Sequence, residues 1–259
     1  MTDTRAASGS GDELLPWRRR PPRRRRDETE PPADEVAAED DVVPFNNVRR
    51  RAATALLASK RTAPHALTLV AADFTAVERA RSAAGLTALP FVARATIDAL
   101  REFPLLNASV DGEALIVHHS VNIGIAVDLD YEGLVVPVVR DAGGMRLRSL
   151  AAAFRDLAAR ARAKQLGPDD LAGGTFTITN PGAAGTWISV PILNSPQVGI
   201  LSTDGVTKTV VAADDQLRIA PVANLCLTFD HRALDGAYAG AFLRRLREIV
   251  EQRDWAAEL

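Results

Sequence analysis

The feature that most limits what this chain can fold into is a change of composition near residue 44. Residues 18–26 read RRRPPRRRR, and the following DETEPPADEVAAEDDVV holds eight acids between Asp27 and Asp41, with prolines throughout. A segment this charged and this poor in apolar side chains cannot bury enough surface to offset the entropy of ordering it. The seven arginines and the neighbouring acids also cancel each other's field within about a Debye length, ~10 Å, which argues against nuclear targeting or nucleic-acid binding. Residues 1–44 are therefore expected to be a disordered, self-neutralising tail, the alternative being a docking arm for a partner protein or an anionic surface. Whatever folds comes from residues 45–259.

That stretch is long enough to bury one large core or two small ones, at 47% apolar residues over the whole chain. A formal net charge of −2 gives no pull toward nucleic acid or membrane. The lone cysteine, Cys226, excludes an internal disulfide and suits a reducing cytoplasm. No apolar run approaches the ~20 residues of a membrane span, and no apolar segment follows the N-terminal arginines as a secretory signal would need. A cytoplasmic location is expected.

From Phe45 onward, helical and strand periodicities alternate. VRRRAATALLASKRTAPH starts as a helix and stops at a Thr-Ala-Pro turn; ALTLVAADF alternates like a strand; Thr75 and Glu78 have the spacing of a capping box. PFVARATIDALREF opens with Pro90 in a first helical turn, and ALIVHHSVNIGIAVDLDYEGLVVPVVR reads as paired strands. Leu147, Leu150, Phe154, Leu157 and Ala161 share one face of a long amphipathic helix. Four β segments follow: GTFTITN, VGILSTDG, TKTVVAADD and LRIAPVANLCLTFD. A last helix starting at Asp235 is expected to bury Tyr238, Phe242, Leu246 and Ile249. The pattern predicts a single α/β or α+β domain with a substantial mixed sheet.

The chemistry centres on one histidine. The chain has four, His65, His118, His119 and His231, and none has zinc-ligand spacing, so no metal is expected. P-loop, dinucleotide-binding and nucleophile-elbow patterns are missing too. His231, in CLTFDHRALDG, falls where a strand gives way to a turn, so its ring can enter a cleft while the backbone sets its tautomer. Asp235, four residues on, can cap the following helix or pair with an arginine that fixes the loop. With no serine or cysteine nucleophile beside it, such a histidine suits general-base catalysis on an incoming substrate.

FDHRALDGAYAGAFLRRLREI resembles the C-terminal signature of the dihydrolipoamide acyltransferase component of 2-oxo acid dehydrogenase complexes, a family that shares its fold with chloramphenicol acetyltransferase. VRRRAATALLASKRTAPH, FPLLNAS, NIGIAVDLDYEGLVVPVVRDA and GGTFTITNPGAAGTWISVPILNSPQVGIL resemble further blocks of that family in the same order, over roughly residues 45–251. The resemblance implies a two-layer α+β sandwich: a mixed sheet with flanking helices. It makes His231 the base that takes the thiol proton of coenzyme A, or of dihydrolipoamide in reverse. It makes Thr179 the hydroxyl that donates to the oxyanion of the tetrahedral intermediate. Asp235 would orient the loop, through an ion pair with Arg49 or Arg50. A threonine at the oxyanion position inclines toward succinyl-type members by analogy alone. The implied active species is a trimer, or a larger cage of trimers, with His231 from one subunit and Thr179 from the next.

Of the other positions, His65 is expected either to line the channel or to serve the turn, His118 and His119 read as exposed, and Gly133, Gly182 and Gly185 read as turn glycines. Where the family carries a lipoyl domain and a subunit-binding domain, this sequence has the Arg/Pro/acid tail. The acyl group is therefore expected to arrive on a separate lipoyl or phosphopantetheinyl carrier protein, loaded by a decarboxylase component, or as acyl-CoA. Two alternatives stand beside thiol-to-thiol transfer: a stand-alone enzyme acylating an alcohol or amine, and a non-catalytic scaffold of a multi-enzyme complex. The joint presence of His231, Asp235 and Thr179 weighs against the scaffold.

Overall fold

The computed structural model describes residues 41–213 and 215–259, so the expectation for the tail lies almost wholly outside the described residues. The first helix, α1 (Asn47–Thr62), opens at Asn46, whose side-chain oxygen accepts from the Arg49 amide at 2.8 Å, and ends on Lys60 and Arg61, where the helix dipole favours cations. After the Ala-Pro turn come β1 (His65–Asp73), α2 (Thr75–Ala84) and α3 (Leu89–Glu102), the last with Pro90 in its first turn as expected. The predicted capping box does not form. Asp73 accepts from both the amide (2.8 Å) and the hydroxyl (2.5 Å) of Thr75, while Glu78 binds Arg81. A carboxylate just before the helix is the stronger acceptor, and it takes the threonine out of the capping role.

A hairpin of β2 (Ala108–Asp111) and β3 (Ala114–Val117) leads to four short strands, β4 (Ile123–Ile125), β5 (Val127–Asp128), β6 (Leu134–Val135) and β7 (Val138–Val139). Then come α4 (Leu147–Arg162), a one-turn α5 (Pro168–Leu171), β8 (Phe176–Thr179), β9 (Gly199–Thr203), β10 (Thr207–Ala213), the 15-residue β11 (Gln216–Asp230) and α6 (Gly236–Gln252). The main sheet has seven strands in the order β1-β11-β9-β8-β4-β7, with β10 pairing the first half of β11. The pairs β4–β8 and β8–β9 are parallel and the others antiparallel, so the sheet is mixed as predicted.

Side chains alternate across the sheet. One face presents Ile123, Phe176, Ile178, Leu201, Leu225, Leu227 and Phe229 to a large core completed by α2, α3, α4 and α6. All five residues expected on the apolar stripe of α4 are buried in it. The opposite face carries Thr177, Thr179, Ile200, Ser202, Cys226 and Thr228, with a small second cluster of Ala63, Leu193 and Ile200. Its cover is the long loop between β8 and β9. That loop is held by Ser59, whose hydroxyl donates to the Leu193 carbonyl at 2.8 Å, and by Asn224, which donates to the Trp187 carbonyl at 2.8 Å.

Candidate active site

His231 is placed by the turn that closes β11. The buried Asp230 carboxylate accepts from the Arg232 amide at 3.0 Å and from the Arg232 guanidinium at 2.6 Å, and the Asp230 carbonyl accepts the amides of Ala233 and Leu234. The His231 amide donates to the Pro64 carbonyl at 3.0 Å, tying the turn to the start of β1. Its ring is thus left exposed, 5.5 Å from the Phe229 ring between centroids. Residue by residue, the sequence here builds a rigid backbone under a free imidazole. Asp230 and Arg232 were not recognised from the sequence, although a carboxylate and a guanidinium two apart at a strand end are a readable signal.

Asp235 is the N-cap residue of α6 by position, but its side chain makes no capping bond and is exposed. Neither expected arginine reaches it within the chain: Arg49 donates to the Tyr131 carbonyl, and Arg50 to the Phe45 carbonyl and to Asn47. His231, Asp235, Leu105 and Tyr238 line a shallow depression of about 190 Å³. Tyr238, expected in the core, is only half-buried at its rim, edge-on to Phe103, with its hydroxyl accepting from the Leu105 amide at 3.2 Å. Burial pushes its phenol up from the ordinary value.

Two of the other histidines, His65 and His118, do structural work. His65 spends both ring nitrogens, Nδ1 on the Ala63 carbonyl (2.8 Å) and Nε2 accepting from the Leu193 amide (3.0 Å), which leaves no lone pair for a substrate proton. His118 is half-buried rather than exposed, with Nε2 2.8 Å from the Ser109 hydroxyl, whereas His119 is exposed.

Thr179 ends β8 on the loop-covered face and is half-buried. The NPGAAG turn after it needs its glycines: a Cβ on Gly182 would stand 2.6 Å from the Asp204 carbonyl carbon, and Gly185 sits at φ +78°. Beneath this turn lies a carboxylate the sequence reading missed. Asp204, 3% exposed, has no cation beside it among the described residues; it accepts from the Thr186 hydroxyl (2.7 Å), the Ser189 hydroxyl (2.6 Å), the Ser189 amide (3.2 Å) and the Cys226 thiol (3.4 Å). Those donors fasten residues 186–189 to the sheet. Burial, reinforced by the Asp204 carboxylate, pushes the Cys226 thiol up to about 11.

The register shows how far apart the two ends lie. Thr179 pairs with Ser202, and Ser202 with Cys226, five residues before His231 along β11. At ~3.3 Å per residue and ~4.8 Å per strand, the separation is roughly 16 Å along the strands and 10 Å across them. A base and an oxyanion donor must both lie within hydrogen-bond reach of one acyl centre. Within one chain these two do not.

A mixed sheet with its helices on one face is the architecture of the chloramphenicol acetyltransferase-like acyltransferases; chloramphenicol acetyltransferase itself superposes with a TM-score of 0.53 over 81% of this chain and 98% of its own, at 12% identity, a likeness of fold. Residues 37–256 match the family model of the 2-oxoacid dehydrogenases acyltransferase (catalytic domain), and the chain belongs to that family. It is 43% identical over 186 residues to the dihydrolipoyllysine-residue acetyltransferase component of the pyruvate dehydrogenase complex of Mycobacterium bovis, covering 69% of this chain and 34% of that protein. It is 42% identical over 163 residues to the succinyltransferase component of the 2-oxoglutarate dehydrogenase complex of Rickettsia bellii, covering 63% and 40%. The chain thus spans a third to two fifths of the length of these relatives. Among solved structures, the Azotobacter vinelandii dihydrolipoamide acetyltransferase, studied for the role of a serine, a histidine and an asparagine in its mechanism, superposes with a TM-score of 0.80 at 34% identity, over 86% of this chain and 98% of that one. The cubic core of a pyruvate dehydrogenase multienzyme complex gives 0.80 at 35% identity, with the same coverage.

Proposed function

We propose that this chain transfers an acyl group between the thiol of a dihydrolipoyl group and the thiol of coenzyme A, with His231 as base, Thr179 as oxyanion donor and Asp235 as the residue that holds the histidine loop. One observation carries the assignment. In the Azotobacter enzyme the serine, histidine and asparagine under study are spaced 52 and four residues apart, the spacing of Thr179, His231 and Asp235 here. Threonine keeps the hydroxyl that serine supplies. Aspartate adds a charge that asparagine lacks, which suits an arginine partner from a neighbouring chain.

In the direction of acyl-CoA synthesis, a ring nitrogen of His231 takes the coenzyme A thiol proton, and the thiolate sulfur bonds to the thioester carbon. The carbonyl oxygen becomes an oxyanion that accepts from Thr179 Oγ1. Collapse re-forms the carbonyl and breaks the bond to the lipoyl sulfur, which leaves as a thiolate and receives the proton from His231. Coenzyme A and the lipoyl group are both substrates, the latter brought on a lipoyl domain that a decarboxylase component loads, and no step calls for a metal.

The active species is a trimer, alone or within a larger cage, whose interface brings His231 of one subunit to Thr179 of the next. The separation of the two residues within one chain supports this reading. The test is complementation. His231→Ala and Thr179→Val proteins, each slowed by about 10²-fold or more, are mixed, dissociated and reassembled, with exchange followed by mass. Activity is expected to return, because some interfaces then hold both intact residues. No rescue despite exchange, or a fully active monomer, overturns the shared site.

A further inference from the structure

On the loop-covered face, one hydroxyl stands unused beside the threonine. Ser202 is the register partner of Thr179 in the parallel β8–β9 pair, one strand spacing (~4.8 Å) away on the same face. It is fully buried, and with Thr228 it is one of two buried side chains among the described residues whose polar atom has no hydrogen-bond partner. Native proteins seldom leave a buried hydroxyl unpaired, because its desolvation is uncompensated where an alanine would have none.

The surroundings of Ser202 leave it two hydroxyl acceptors, Thr179 and the diagonally placed Thr228 of β11, and of these only Thr179 is its direct register partner. Across β11 its register partner is Cys226, whose thiol is committed to Asp204. The Asp204 carboxylate already takes four donors. Along its own strand the same-face neighbour is the apolar Ile200. Thr179 Oγ1 makes no hydrogen bond among the described residues, and a rotation of the short serine side chain between staggered wells turns its hydroxyl toward it.

We propose that Ser202 is a positioning residue for Thr179: its hydroxyl donates to Thr179 Oγ1 during the reaction. This fills a lone pair of the threonine, fixes its rotor and leaves its proton for the oxyanion. A chain of two hydroxyls also polarises the outer one, making it the better donor. The idea rests on the proposed role of Thr179, and the experiment separates the two.

Steady-state rates are measured on the assembled protein with free dihydrolipoamide and the faster of acetyl-CoA and succinyl-CoA. Ser202→Ala is expected to lower kcat about tenfold, the upper range for one hydrogen bond, with KM unchanged to within about twofold. Its melting temperature should hold or rise, because an unpaired buried hydroxyl has been removed. In the Thr179→Val background, itself about 10²-fold slower, the same substitution should change nothing further. Loss at Thr179→Val with an unaffected Ser202→Ala, with multiplicative losses, or with kcat and melting temperature falling together overturns the role of Ser202 alone. Wild-type kcat in Thr179→Val overturns both readings.

Discussion

Along the middle strands β9 and β11, the helix-covered and loop-covered faces of the central sheet are buried to a similar degree by opposite means. Leu225, Leu227 and Phe229 on β11 share one apolar core with Phe242, Leu243 and Leu246 of α6, and none of these side chains needs a hydrogen bond. The alternate residues of the same strand, Asn224, Cys226 and Thr228, are as thoroughly buried, yet the chain closing over them is an irregular loop whose hydroxyls and amide converge on Asp204. An apolar helix could not cover this face without stranding those polar groups. The roof over this face is chain whose own polar groups find their acceptor in Asp204, while the Ser202 and Thr228 hydroxyls beneath it stay unpaired. The comparison also explains why the two proposed reacting groups sit at its margins: Thr179 where the loop departs, His231 where β11 ends.

The largest expected effect lies beyond both faces. His231→Ala should lower acyl transfer by about 10³-fold at saturating thiol while leaving the melting temperature unchanged, since the exposed ring packs into neither layer. A loss of less than about tenfold, in the same assay, would remove the histidine from the mechanism.

The next prediction sets the faces against each other at adjacent positions. Leu227→Ala, on the helix side, should cost about 3 kcal/mol by urea denaturation, in the range for a large-to-small change in a packed core. Thr228→Val, one residue on and on the loop side, keeps the shape and deletes an unpaired hydroxyl, so stability should rise or change by less than about 1 kcal/mol. Equal losses at both positions would show that the faces do not differ as described.

The smallest effect is an absence of reaction. Cys226 is buried, and with its thiol pushed up to about 11 it holds little thiolate at pH 8. A disulfide reagent should label it only at the rate of global unfolding. Fast labelling of the folded protein would mean that the loop opens on its own.

The sequence spoke clearly where burial is apolar, because packing against one layer imposes a period. The stripe of α4 and the alternation of β1 were readable for that reason. It was silent on Asp204, whose side-chain donors stand 15, 18 and 22 positions away and follow no period. The structural work of His65 was hidden likewise, since its Nε2 answers an amide 128 residues distant. Local rules failed where a nearby charge outcompeted them, as at Thr75, where Asp73 took the cap. Thr179 was singled out by family likeness alone, for a threonine in a strand has no spacing that marks it.

The distance between Thr179 and His231 has a consequence for control. On the reading proposed above, each chain holds two complementary halves of a reaction centre on margins too far apart to meet, so a newly made copy is chemically mute. Turnover then measures finished rings rather than chains synthesised, and it falls away on dilution more steeply than protein concentration. A surplus of unassembled copies would waste no thioester.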